Sequence, residues 1–183
     1  RYYRLDTAST QLWEQFAAAV SPQALVASAE NSEGFVDRSG NSWKRDHATR
    51  ERDWGTRDVS PRFLTSGEHR DAPATLSLWE DVESVYAFTY YGFHAEVLSE
   101  RDDWFVKGDW PALVAWWIPD DETPTRAQGA KRLEHPHDNR PTAHAFDFKA
   151  PFDAEGQPLR MGRGKIQAHA EIVRSHMRPK PQA

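Results

Sequence analysis

Leu76-Ser77-Leu78-Trp79-Glu80, running on to Tyr86-Ala87-Phe88-Thr89-Tyr90-Tyr91-Gly92-Phe93-His94, passes from a period of two to a period near 3.6 and so joins a strand to a helix. From Ala74 to Trp79, Thr75, Ser77 and Trp79 alternate with Ala74, Leu76 and Leu78, the period of a strand between two different environments. From Glu80 to Trp104 the apolar residues recur at helical spacing. Downstream, Pro111 to Ile118 reads as a strand opened by proline and Pro119 to Glu122 as a turn. Thr125 to Glu134 reads as a helix with the Thr125/Gln128 spacing of a capping box, stopped by Pro136 soon after Leu133. Ala143 to Phe148 is the last strand.

Working upstream, Thr10 to Glu30 has helical spacing through Leu12, Trp13, Phe16, Val20, Leu25 and Val26, after a short strand around Tyr2 to Leu5. Pro22 interrupts it: either the helix restarts with Ser21 as cap and Pro22 in the first turn, or the chain turns and re-enters. Gly34-Phe35-Val36 followed by Ser39-Gly40-Asn41 reads as strand and turn. Lys44 to Arg70 carries seven basic and five acidic side chains, with Trp54, Val59, Phe63 and Leu64 as the few apolar anchors. It reads as a long loop with a helical turn near Thr49 to Trp54, serving either as a lid or as ordinary charged surface.

Helix, strand, strand, helix, strand is the order of an α+β ferredoxin-like unit, with helices on one side of a sheet. The other face needs cover, and the economical solution is a second copy, giving a homodimer that forms a dimeric α/β barrel with an interior cavity. The 183 residues suit one domain, 1–152, with a basic extension, 153–183, that holds six basic against three acidic side chains. The 22 aromatic residues supply the core. A net charge of -5 argues against nucleic acid or anionic lipid as partner, and no run of 18 apolar residues offers a membrane span. Zero cysteines exclude disulfides and thiolate ligands. The expectation is a cytoplasmic protein.

Taken together, Leu76 to Glu80, Tyr86 to His94, Arg101 with Trp104-Phe105, Leu113 to Pro119 with Trp116-Trp117-Ile118, Pro124-Thr125, Arg132-Leu133-Glu134, Pro141-Thr142 and Ala145-Phe146-Asp147-Phe148 resemble the DUF3291 family over residues 73 to 152. The resemblance implies membership of the dimeric α/β-barrel superfamily, whose members include cofactor-free oxygenases, haem enzymes, isomerases and binding proteins, and so raises the expectation of small-molecule chemistry without selecting one. Gln128-Gly129 stands where the family usually has Glu-Ala, and Arg140 where it usually has Gly.

On a helical wheel, Tyr86, Tyr90, His94, Val97, Leu98, Arg101, Trp104 and Phe105 share one arc. An imidazole and a guanidinium in an aromatic stripe need partners. Either His94 bonds a backbone carbonyl or Tyr90 while Arg101 reaches outward, or the stripe lines a site. In the second case His94 is the general base, Tyr90 a donor to the developing anion and Arg101 a charge clamp, with Tyr86, Trp79, Trp116, Trp117 and Ser77 binding the substrate. Strand alternation puts Trp116 and Trp117 on opposite faces, one in the core and one toward ligand. His135, His137 and His144 raise the question of a metal site, which we set aside because they cluster where a helix ends; no cofactor is expected. The functional expectation is an enzyme acting on an aromatic or polycyclic metabolite by acid–base chemistry: isomerisation, cyclisation, dehydration or cofactor-free oxygenation. The competing expectations are a non-catalytic binding protein and a haem-dependent enzyme.

Overall fold

Pro22 has no amide hydrogen to lose in the first turn of a helix, and helix α1, Pro22–Glu30, begins there, whereas Ser21 and the stretch before it, on which the choice between restart and re-entry turns, lie outside the described residues. A computed structural model describes residues 22–39, 52–56, 59–64, 75–100 and 110–176. The expected strand at Tyr2 to Leu5, the first helical stretch from Thr10, and Arg101, Trp104 and Phe105 of the aromatic arc lie outside the described residues. The chain divides into two units, one formed by residues 1–10, 38–77 and 105–160 and the other by 11–37, 78–104 and 161–183.

In the second of these units, α1 closes through the Asn31 amide on the Ala27 carbonyl and the Ser32 hydroxyl on the Ser28 carbonyl. Gly34, at φ 77°, turns the chain into strand β1, Phe35–Arg38. Strand β2, Ser77–Trp79, pairs with it. The Ser39 amide bonds the Leu76 carbonyl and the Glu80 amide the Gly34 carbonyl, so the pairing runs antiparallel. Asp81 caps helix α2, Val82–Tyr90, by accepting from the Ser84 amide at 2.8 Å.

The single helix expected from Glu80 to Trp104 is divided. Tyr91 is extended, Gly92 takes φ 65°, and helix α3, Gly92–Ser99, starts afresh. The break has a packing reason: a Cβ at residue 92 would meet Val173 Cγ1 at 2.5 Å, so only glycine permits that close approach. Val173 belongs to the last helix of this unit, Arg163–Ser175, which buries His169, Ala170 and Val173 along one face and packs against α2 and α3.

The other unit is built on helix α4, Arg126–Asp138. Its capping box is formed as expected, with the Gln128 amide on Thr125 Oγ1 at 3.2 Å and the Thr125 amide on Gln128 Oε1 at 2.7 Å. Pro136 does not stop this helix. In the last turn a proline forfeits only one backbone bond, and the Asn139 amide still closes on the His135 carbonyl. Leu133, Ala130, Ala145, Phe146, Phe148 and Trp54 make the core. Trp54 and Phe63 anchor the charged loop: the Trp54 carbonyl accepts from the Arg126 amide, and Phe63, in a 3-10 turn at Arg62–Leu64, stacks between Trp110 and His137. The expected helical turn ending at Trp54 is absent over 52–56. The turn at Pro119 to Glu122 is closed by a backbone bond between its ends.

The expectation of a ferredoxin-like subunit and a dimeric α/β barrel is corrected. The described elements are mostly helical, around one two-stranded antiparallel sheet. The segments expected as strands at 111–118 and 143–148 meet only at the Ala115–Phe146 bridge. Pro111 opens and Pro119 follows the first segment, Pro141 and Pro151 flank the second, and the tight turn pairing Thr142 with Ala145 consumes backbone groups that a longer ladder needs. A two-stranded pair presents no broad sheet face for a second copy to cover, so the physical reason for the homodimer goes with the barrel. The helix from Arg163, labelled α5 below, occupies part of the sequence expected as a basic extension. Among the described residues, no helix is long and apolar enough to cross a membrane.

Candidate functional site

Helix α4 delivers Arg132 and His135 to one face because three residues make almost one turn. The chain then leaves the helix and returns through the turn at Thr142 to Ala145, which brings Thr142 and His144 back to the same side. The Arg132 guanidinium donates to the His144 carbonyl, lies 3.4 Å from His144 Nδ1, and sits 5.0 Å above the Trp116 ring. Thr142 Oγ1 is 3.1 Å from His135 Nε2, and the His135 and His144 rings stand edge to face with centroids 5.3 Å apart.

Charge is unbalanced at this point. Among the described residues no carboxylate pairs with Arg132, and burial alone depresses its pKa. A guanidinium stays protonated regardless, so a half-buried cation faces an indole and a carbonyl and meets no carboxylate among the described residues. His144 is lowered from the ordinary imidazole value of 6.5 by burial, then by the neighbouring charges of Arg132 and His135, a shift that favours the neutral ring. The side chain is nonetheless exposed, so solutes can reach it.

The residues expected to form a site take the following places. His94 places Nδ1 3.0 Å from the Thr89 carbonyl, a group that the break at Gly92 deprives of its helical partner, and its ring meets Phe88 with centroids 4.6 Å apart. A backbone carbonyl is the partner that the first of the two readings gives His94; the Arg101 part of that reading lies outside the described residues. Tyr90 is 44% exposed and packs on Tyr86, whose pKa is raised by burial and by the neighbouring Tyr91 and Tyr90. Trp79 lies between Phe35 and Phe88. Ser77 is exposed at the start of β2. Arg101 lies outside the described residues. Trp117 donates its indole hydrogen to the Phe152 carbonyl at 2.7 Å, whereas Trp116 is the tryptophan that meets Arg132.

Sequence reasoning missed a second polar array, in the unit of α2 and α5. His169 places Nδ1 3.0 Å from Glu33 Oε2 and Nε2 3.4 Å from Ser84 Oγ, while Ser84 Oγ donates to Asp81 Oδ1 at 2.8 Å. Lys165 pairs with Asp81 at 2.9 Å, and the Gly162 amide donates to Glu83 Oε1. Serine, imidazole and carboxylate in line are the parts of a nucleophilic triad. Here the serine hydroxyl is committed to Asp81, is 1% exposed and lies beneath Gly34. The array fastens α5 to the start of α2. A signal was present in the sequence: His169 falls on the spacing of Ile166, Ala170 and Val173, an apolar face on which an imidazole requires a partner. For Arg132, the corresponding signal was its three-residue spacing from His135.

Among the described residues, no group of three or more His, Cys, Asp or Glu is placed to hold a metal ion. No curated protein and no solved structure matches the chain. The family model described as "Domain of unknown function (DUF3291)" matches residues 5–161, well beyond the region that carried the resemblance and most of the chain's length, and the chain therefore belongs to the DUF3291 family.

Proposed function

We propose that this chain is an enzyme that binds a small aromatic or polycyclic organic anion and acts on it by acid–base chemistry. Arg132 holds the anion, the Trp116 ring lies beside it, and the imidazoles of His144 and His135 handle protons. The observation that carries this reading is the partly buried guanidinium without a carboxylate partner among the described residues. A cation so placed gains by accepting an anionic ligand, and a planar fork suits the oxygens of a carboxylate, phenolate or enolate. Two imidazoles with ring centroids 5.3 Å apart offer nitrogens that can give or take a proton. Isomerisation, cyclisation and dehydration each begin with a proton transfer that such groups can perform.

Calorimetric titration with a panel of aromatic carboxylates and phenolates tests the binding. Arg132→Gln should weaken every anion that binds by about tenfold or more, the scale of a charge-assisted contact. Binding that is indifferent to Arg132→Gln would remove the reading. The chemistry is tested by NMR in D2O, following exchange of the hydrogens next to the carbonyl of a bound aryl ketone acid. Faster exchange with the protein than with buffer, lost in a double His135→Ala/His144→Ala variant, is expected. A non-catalytic binding protein is the second reading, favoured by the Arg132–Trp116 contact because it needs no base. It predicts Arg132-dependent binding with exchange at the buffer rate.

A further inference from the structure

Ser84 has one hydroxyl hydrogen, and Asp81 takes it. The Asp81 carboxyl is held below its usual range, so at neutral pH it is ionised and offers only lone pairs to Ser84 Oγ, 2.8 Å away. With its hydrogen spent there, Ser84 Oγ turns a lone pair toward His169 Nε2, 3.4 Å away. That contact is favourable only when Nε2 bears a hydrogen. On the other edge of the ring, Nδ1 stands 3.0 Å from Glu33 Oε2, and a carboxylate again only accepts. Both ring nitrogens face acceptors, whereas a neutral imidazole has one hydrogen to divide between them.

We infer that His169 carries a hydrogen on each ring nitrogen, and that this imidazolium is a pH-sensitive latch holding α5 against α2. The inference does not rest on the reading of Arg132. Burial works against the charge, since His169 is 7% exposed. Two completed hydrogen bonds and the opposite charge of Glu33 work for it. The surroundings are acidic as well. Asp81 lies beyond Ser84, and Lys165, one turn before His169 on α5, has Asp81, Glu83 and Glu80 as charged neighbours. Glu83 also accepts from the Gly162 amide at the start of α5. Helix α3, which packs on α5 too, meets it through Gly92 and Val173; its His94 is engaged by the Thr89 carbonyl and its Glu96 is exposed. Removing a proton from His169 would set a nitrogen lone pair against an oxygen lone pair inside the unit. A proton held by the fold adds stability that is fully present below the unfolded histidine value, about 6.5, and lost as pH rises and the folded ring gives it up.

The test begins with 15N NMR of the native chain at pH 7, the His169 ring signals being assigned through its own backbone amide so that no variant is needed. Both nitrogens should read as N–H. Hydrogen exchange then follows the latch. The α5 amides, taken relative to those of α4 so that the base-catalysed rise common to both cancels, should exchange about fivefold faster at pH 8.5 than at pH 6, the scale of one lost ion pair. Asp81 and Lys165 keep their charges over that range. Glu33→Gln leaves an acceptor for Nδ1 and removes its charge, and because Glu33 is 53% exposed the packing stays intact. It should shrink the pH-dependent rise. A single ring hydrogen on native His169 at pH 7 overturns the assignment and the latch with it. Two ring hydrogens with no rise in α5 exchange, or an equal rise in the native chain and Glu33→Gln, overturns the latch.

Discussion

Gly34 lies directly over Ser84, so closely that a Cβ at residue 34 would come within 2.2 Å of Ser84 Oγ and 2.7 Å of Ser84 Cβ. Gly34 also holds φ 77°, a conformation that L side chains rarely adopt. Both constraints act on the residue next to Glu33, the carboxylate that meets His169.

Gly34→Ala should therefore lose stability twice, by overpacking and by backbone strain, for a total of about 3 kcal/mol. In a chain of this size that corresponds to a fall of roughly 6–12 °C in Tm, read by scanning calorimetry. A Tm within a degree of the native value would show that the approach to Ser84 is not constraining.

Asp81 gives a pH signature. Burial works to raise its pKa from 3.8, but the hydrogen bonds from Lys165 and Ser84 and the Lys165 charge outweigh it, and the net direction is downward. A depressed folded-state value means a contribution fully present above the unfolded value, near pH 4, and lost as pH falls through the folded value. Asp81→Asn keeps a capping oxygen and removes the charge. It should be less stable than the native chain at pH 7, with the gap closing in denaturant titrations below pH 4. The Lys165 pKa is raised chiefly by its hydrogen bond to Asp81, so its share should persist at neutral pH and fade only as pH climbs past 10.5.

Gly129 should respond in the opposite direction. It lies in the body of α4, and a Cβ there would make ordinary contact, 3.7 Å, with both Leu76 and Trp116. Gly129→Ala should gain about 1 kcal/mol from helix propensity, raising Tm by roughly 2–4 °C. A lower Tm would mean that the space beside Trp116 is already filled.

Trp117→Phe keeps most of the ring but strands the Phe152 carbonyl that the indole engages. A cost of about 1–2 kcal/mol in urea unfolding is expected, and Trp116→Phe, measured alongside, should leave that bond intact.

Local chemistry was legible in the sequence wherever one or two residues determine it. The Thr125/Gln128 box, the helix start at Pro22 and the strand after Gly34 follow from side-chain hydrogen bonding, a missing amide hydrogen and a permissive φ. Periodicity overreached at 80–104, because a helical wheel cannot register that Gly92 must yield to Val173, more than eighty residues away. It overreached again at 111–118 and 143–148, where flanking prolines and the turn at Thr142 to Ala145 leave a single bridge, Ala115 to Phe146. At the site, Trp116 was named from sequence, whereas Arg132 was not given a role. Its importance depends on a turn that brings His144 back onto α4, and no spacing within a helix encodes that return.

Neither unit corresponds to a single uninterrupted piece of the gene product, since each is assembled from three separate lengths of chain. The family match stops at residue 161, and α5 begins two residues later. A fragment cut to the matched boundaries would retain α2 but discard the helix that packs on it, leaving Asp81 without Lys165, and Glu33 and Ser84 without His169. Expression of residues 1–161 would consequently yield an incomplete second unit, and restoring it by adding a synthetic peptide of residues 162–176 would turn an internal packing contact into a measurable binding equilibrium.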